Sequence, residues 1–350
     1  MKQRARDQGG PGTLTDDLEP PDISPESVSD VPLAELAAEY KLRPSAARPG
    51  VFKYAAQLWD RRHFIMGFAT ARNVAMYTEA RLGQLWQVLT PLLNAAVYYL
   101  IFGKILDTSR GVPNFIAFLI TGIFIWNFTQ RSFITASRVM PDSLPLIRAL
   151  PFPRACLPIG YVIIELQQLV MSMIILIAIV LGTREPLTWY WLLVIPALVL
   201  QGVFNAGMAL FLARLGAGAD DFGQLMPFLV RTWMYTSGVM FSIETVSSLR
   251  NHPTLTYLLQ INPAAVYISL ARNAILASQR AAWPGSKPYN PNLCHAFHAA
   301  SKGKALLDSA YCHGTVSMNG LWLWGAGWAI LAMVVGFVFF WQAETRYGRG

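Results

Sequence analysis

Six apolar stretches, almost free of charge, constrain this chain more than any other feature; they fall at 84–103, 114–139, 157–182, 188–213, 225–245 and 319–342. A helix crossing a hydrocarbon core of about 30 Å needs about 20 mostly apolar residues, and each stretch meets that length. In lipid only helices and closed barrels satisfy every backbone polar group, and these runs lack the alternation that a barrel strand requires. The sequence therefore predicts an all-α polytopic membrane protein with six transmembrane helices. Its chemistry should concern something that crosses the bilayer.

A formal net charge of +8 would suit nucleic acid, but the placement of the basic residues argues for a membrane instead. Residues 1–83 hold eleven Lys/Arg and 130–156 hold four, against two in 102–113. Cytoplasmic loops carry such an excess, so both termini are expected in the cytoplasm, in a cytoplasmic (inner or plasma) membrane. The first 50 residues contain no apolar run of the signal-peptide kind. They hold seven Pro, nine acidic residues and one aromatic, Tyr40. Too little apolar surface is present to offset the entropy of ordering, so 1–50 reads as a disordered cytoplasmic tail.

Residues 51–83 mix Phe52, Leu58, Trp59, Phe64 and Phe68 with Lys53, Asp60, Arg61 and Arg62, a pattern that fits an amphipathic helix at the membrane interface. Residues 84–245 then carry the first five spans. Between the second and third, the segment 140–156 has prolines at 141, 145, 151 and 153 with a short helical stretch between them. A helix braced in this way would make a rigid lever on the cytoplasmic side. Residues 246–318 are expected outside, first as re-entrant or interfacial helices around Asn262-Pro263, then as a polar cap. The last span and a cytoplasmic tail fill 319–350.

Cys294 and Cys312 lie in the cap, and in an oxidising compartment a disulfide between them is the leading reading. Neighbouring His295, His298 and His313 are too loosely spaced for a metal expectation. Gly303-Lys304 is followed by Ala305 and lacks the upstream glycine of a phosphate-binding loop. The chain is therefore expected to be a non-enzyme with no cofactor of its own, any energy coming from another protein or an ion gradient. Glu165 and Arg231 are the deeply placed charges, each a pairing partner for the other or a contact for an anionic head group. Tyr98, Tyr99, Trp126, Phe128, Trp233 and Tyr235 could line a conduit for sugars or simply pack the core.

Four motifs in order resemble a known family. Leu82-Gly83, Trp86 and Pro91-Leu92 resemble the LGxxWxxxxPL start of the first span in ABC-2 type exporter permeases. Leu146-Ile147-Arg148, Phe152-Pro153-Arg154 and Leu157-Pro158 resemble their coupling segment. Ala213-Arg214-Leu215 with Asp220-Asp221, and Asn262-Pro263 with Arg272, resemble the turn after the fourth span and the external segment before the last. The polysaccharide-exporting branch, handling O-antigen, teichoic acid and similar glycans, is nearest.

The resemblance implies a homodimer of permeases bound to two copies of a separate ATP-binding cassette ATPase, which holds the ATP and Mg. It implies a polyprenyl-pyrophosphate-linked glycan admitted from the membrane near Arg81, Leu82, Gly83 and Trp86, with Arg231 a further contact. It also implies coupling through Leu146, Ile147, Arg148, Phe152 and Arg154, and an external gate at Asn262, Pro263 and Arg272. The acidic tail and the insertion at 278–317 depart from the pattern. They point to a galactan precursor, as in actinobacterial exporters. A drug or lipid exporter of the same architecture is the main alternative, and a membrane-embedded glycosyl- or acyltransferase using Asp220 and Asp221 a more distant one.

Overall fold

The computed structural model describes residues 50–78, 82–83, 85–105, 114–150, 152–183, 185–219, 221–243, 253–276 and 316–344. All of these belong to the unit Arg48–Gly350. Arg81, the tail, Asp220, and the cap with Cys294 and Cys312 lie outside the described residues. Among those described, every regular element is helical.

In chain order the helices are α1 (Val51–Asp60), α2 (Arg62–Thr78), α3 (Leu85–Tyr98), α4 (Phe115–Ala136), the short α5 (Val139–Asp142) and α6 (Leu144–Ala149), and α7 (Cys156–Gly182). They continue with α8 (Val194–Gly218), α9 (Phe222–Thr236), α10 (Pro253–Gln260), α11 (Pro263–Ile275) and α12 (Met318–Gln342). Among the described residues, three helical segments are long and apolar enough to cross a membrane: α7, α12, and α8 with the 3-10 turn Trp189–Leu193 that leads into it.

The other expected spans differ for identifiable reasons. α4 has 22 residues, but its second half carries Asn127, Thr129, Gln130 and Arg131, and the helix is buried on nearly every side. It is the central post of the bundle, with α3, α7, α8, α9 and α11 packed around it. α3 contains Pro91 and passes into a π-helical segment, Tyr99–Ile105. α9 contains Pro227 and stops at Thr236, just before Gly238 at φ 63°. At 1.5 Å per residue α9 reaches only about 22 Å.

α8 and α12 pack backbone against backbone. A Cβ on Gly207 would run into the backbone of Ala332 and Met333, and one on Gly336 into the Gly207 carbonyl. Small residues let two apolar helices approach where no hydrophobic effect drives them together. α1 and α2 form the expected amphipathic region, but in two pieces with different settings. α1 buries Tyr54 while leaving Phe52 and Trp59 exposed, as an interfacial helix would. α2 instead lies along α7: Phe68 meets Tyr161 with ring centroids 5.9 Å apart, and Asn73 donates to Gln167 at 3.2 Å. Seven residues of α7 separate Gly160, beneath Phe68, from Gln167. α2 therefore climbs about 10 Å along an apolar helix instead of lying flat across its end.

Candidate functional site

The end of α2 and the start of α3 meet α4 and α7 around a small polar cavity of about 50 Å³. Tyr77 comes from α2, Trp86, Thr90 and Pro91 from α3, Asn127 and Arg131 from α4, and Glu165, Gln168 and Ser172 from α7. Leu82 and Gly83 form the turn leading into α3, the Gly83 carbonyl accepting from the N–H of Trp86 at the cavity. Gly83 adopts φ 49°, a left-handed conformation that a residue with a Cβ enters only at a cost. Pro91 lacks a backbone N–H, which interrupts the helical ladder of α3 at the cavity wall.

Arg131 donates from Nη1 to Gln168 Oε1 at 2.7 Å, and its charge acts through space on Glu165 and Tyr77. The basic residue that shares the cavity with Glu165 is thus Arg131 on α4. Arg231, expected from the sequence as a pairing partner of Glu165 or a head-group contact, is exposed on α9. Arg131 is near because α4 presents its polar half to α7, and sequence spacing could not show which helices would be neighbours. Glu165 Oε2 is buried and has no hydrogen-bond partner among the described residues. Phe124 and Phe128 close the apolar side, and Trp86, 38% exposed, stands at the rim.

The aromatic residues expected to line a conduit do not share a surface. Trp126 and Phe128 are core residues at 1% and 2% exposure. Trp126 packs edge-on against Trp233 at 5.4 Å, and Trp233 stacks on Phe133 at 5.6 Å. Tyr235 points outward at 60% exposure, and Tyr98 packs against the core. Tyr99 is half-buried in the π-helical segment. Trp126 and Phe128 are therefore packing residues in this conformation.

The expected external gate is likewise a set of internal ties. Asn262 caps α11 by accepting from the Ala264 N–H at 3.3 Å, and it also accepts from Trp233 Nε1 at 2.9 Å. Pro263 occupies the first turn of α11, where its missing N–H costs nothing. Arg272 is 5% exposed. It donates to the carbonyls of Phe118 (3.1 Å), Gly238 (2.8 Å) and Val239 (2.6 Å), with its guanidinium 3.4 Å from the Phe118 ring centroid. Gly122 makes room for it, since a Cβ there would meet Arg272 Nη2 and lie 2.8 Å from the Val239 oxygen.

The model of the family described as ABC-2 type transporter matches residues 67–276, a range that includes every residue around the cavity. The chain belongs to that family. It is similar to the O-antigen export system permease protein RfbA of Myxococcus xanthus, 22% identical over 213 residues, which make up 61% of this chain and 80% of the relative. A protein of the same name from Klebsiella pneumoniae is 25% identical over 194 residues, 55% of this chain and 72% of the relative.

At the Cys156 end of α7, this ABC-2 transporter chain gathers residues expected from the sequence to form a coupling segment around a second cluster. Ile147 is buried in the chain's own core, with Leu146 and Phe152 packed against the same cluster. Phe152 also meets Phe64 of α2 at 5.5 Å. The amphipathic turn of α6 sets Ile147, and in part Leu146, inward as anchors. The apolar side chains it leaves exposed are Leu144 and Leu150, either side of the exposed Arg148.

Arg154 completes a knot whose centre, Glu344, the sequence reading missed. Glu344 Oε1 accepts from the Arg154 backbone N–H at 3.1 Å, and Oε2 from the Tyr54 hydroxyl at 2.8 Å. The Arg154 guanidinium donates to the Glu344 carbonyl, and the Tyr54 hydroxyl accepts from the Ala155 N–H at 3.1 Å. Burial pushes the Glu344 carboxyl above its ordinary range, against the opposing pull of its Arg154 and Tyr54 contacts. It also pushes the Tyr54 phenol well up. One available signal was that Glu344 is the only acidic residue after Asp308, directly behind a 25-residue apolar helix.

Proposed function

We propose that this chain is the membrane subunit of an ATP-driven exporter of a lipid-linked polysaccharide, with a galactan-type cell-wall precursor as cargo. It would act as a homodimer bound to two copies of a separate ATP-binding cassette ATPase, with the Cys156 end of α7 and both termini in the cytoplasm and six passages through the membrane. One observation carries the reading: the polar cavity after the Leu82-Gly83 turn, within the region that the ABC-2 type transporter model matches, in a chain similar to O-antigen export permeases. A polar pocket walled by apolar helices suits cargo with a hydrophilic part and a membrane-soluble part. Arg61, in the turn before α2, and Arg62 and Arg72 on α2 are exposed, where they would meet the pyrophosphate before it leaves the interface. Leu144 and Leu150 supply an apolar edge for the ATPase.

A groove of about 650 Å³ favours a second reading, export of a lipid without a glycan. Its apolar walls come chiefly from α8, α9 and α12 and include Phe204, Phe211, Leu229 and Leu331. One experiment separates the two. Depletion of this chain should leave lipid-linked polysaccharide on the inner face of the membrane, detected by lectin or antibody only after the cells are opened. Gly83→Val should reproduce part of that defect, because the left-handed turn resists a β-branched residue. Normal surface polysaccharide on depletion, with a glycan-free lipid retained inside, would establish the second reading instead.

A further inference from the structure

Glu165 brings an unsatisfied acceptor to a cavity that already has a cation. Among the described residues around the cavity, Arg131 and Glu165 are the only formally charged side chains. An anion entering would meet the carboxyl as well as the cation, and gains less than it would from the cation alone. Among the described residues, Glu165 Oε2 also has no hydrogen-bond donor. A buried acceptor without a donor costs about 1–3 kcal/mol in general, so a ligand that supplies one is favoured. Phosphate oxygens only accept, and they match a carboxyl only when it carries a proton. A hydroxyl both donates and accepts, so it satisfies the carboxyl in either state.

The rest of the pocket suits the same chemistry. Gln168 and Asn127 present amides that can donate and accept, and Arg131 adds further donors. Trp86 supplies an aromatic edge at the rim. The cavity of about 50 Å³ has room for a few water-sized groups, hence for the hydroxyl-bearing edge of a sugar whose ring stays at the mouth.

We propose that Glu165, with Arg131, Gln168 and Asn127 around it and Trp86 at the rim, is a hydroxyl-recognising subsite that reads the sugar nearest the lipid. The subsite rests on the export reading above and adds to it. The pyrophosphate is held elsewhere, by the exposed Arg61 of the turn before α2 and Arg62 and Arg72 of α2, and the pocket distinguishes glycosylated from bare carrier. An exporter with such a check would not spend ATP on empty lipid.

The test uses the full-length permease with its ATPase in lipid nanodiscs and two probes, farnesyl pyrophosphate and farnesyl pyrophosphate bearing one galactose. The native complex should bind the galactosylated probe about tenfold more tightly, as one hydrogen bond to a charged group provides. Glu165→Ala should bring that ratio to about one. Glu165→Gln, which keeps the shape and one acceptor, should retain part of the preference. Should Glu165→Ala fail to assemble, Gln168→Leu should lower the ratio in its place.

A preference that survives these substitutions overturns the subsite. So does a native complex that binds both probes equally, which would mean that water alone fills the pocket, although the export reading would stand. A native complex that binds neither probe would remove the export reading together with the subsite.

Discussion

Arg272 offers the sharpest separation between a gate and a structural tie. Replacing it with Met keeps the length of the side chain and removes every donor. The carbonyls of Gly238 and Val239, at the buried end of α9, would lose the donors that now reach them at 2.8 and 2.6 Å. Each unsatisfied buried carbonyl costs about 1–3 kcal/mol. Part of that is returned because a guanidinium no longer needs to be desolvated. The net loss should be about 3 kcal/mol. At about 2 °C per kcal/mol for a chain of this size, Tm in detergent should fall by about 6 °C.

Gly122→Ala should cause a comparable loss by pushing the guanidinium aside, since its Cβ would occupy the position of Nη2. The double variant should cost clearly less than the sum, because the steric conflict with the guanidinium disappears with it. Thermal unfolding followed by size exclusion measures all three. An Arg272→Met protein as stable as the native one, with export abolished, would refute the tie and restore Arg272 as a gating residue.

Two further perturbations follow from the Cys156 end of α7. Ile147→Ala should destabilise the permease by about 2–4 kcal/mol, as burial in its own core requires. Leu144→Asp with Leu150→Asp should leave Tm unchanged but weaken co-purification of the ATPase, a contrast read by parallel melting and pull-down measurements. The Glu344 knot predicts a pH dependence of known sign. The folded carboxyl titrates above its unfolded value of 4.5, so its contribution is fully present below that value and is lost as pH rises through the folded one. Glu344→Gln, which imitates the protonated form, should flatten that part of the Tm–pH profile and raise Tm at pH 8. A profile with unchanged slope would show that Glu344 does not govern it.

The elements legible in the sequence are those whose residues act through composition alone. α7, α8 and α12 are apolar throughout, and their existence follows from the length of hydrocarbon they can cross. Asn262-Pro263 could be placed at a helix start because both residues serve the first turn by themselves, one as a cap and one as a proline without an N–H. The inward turn of Ile147, the core position of Trp126 and the burial of Arg272 each depend on a neighbour distant in sequence. Phe118 lies 154 positions from Arg272, and no local pattern announces that contact.

Glu165 and Glu344 show how far a lone charge can be read. Glu165 is the only acidic residue between Asp142 and Glu185, and its isolation in an apolar helix marks it as worth attention. What its isolation cannot give is the partner, because the bundle offers several candidate helices. α4 supplies Arg131 because it is the central post, touching five other long helices, and it could take that position only with its polar half turned toward groups able to satisfy it. The polar layer that resulted includes Gln201, which donates to the Ile125 carbonyl at 2.8 Å and to Thr129 Oγ1 at 2.9 Å, with Thr129 in turn donating to Asn205 at 3.1 Å. Buried amides of this kind fix which helices are neighbours more firmly than apolar contacts do, because a mismatched neighbour leaves them unpaired. The same central helix therefore sets both the register of the bundle and the chemistry of the cavity. Substitutions in the Gln201–Thr129–Asn205 chain should consequently disturb the site around Glu165 from the opposite face of α4.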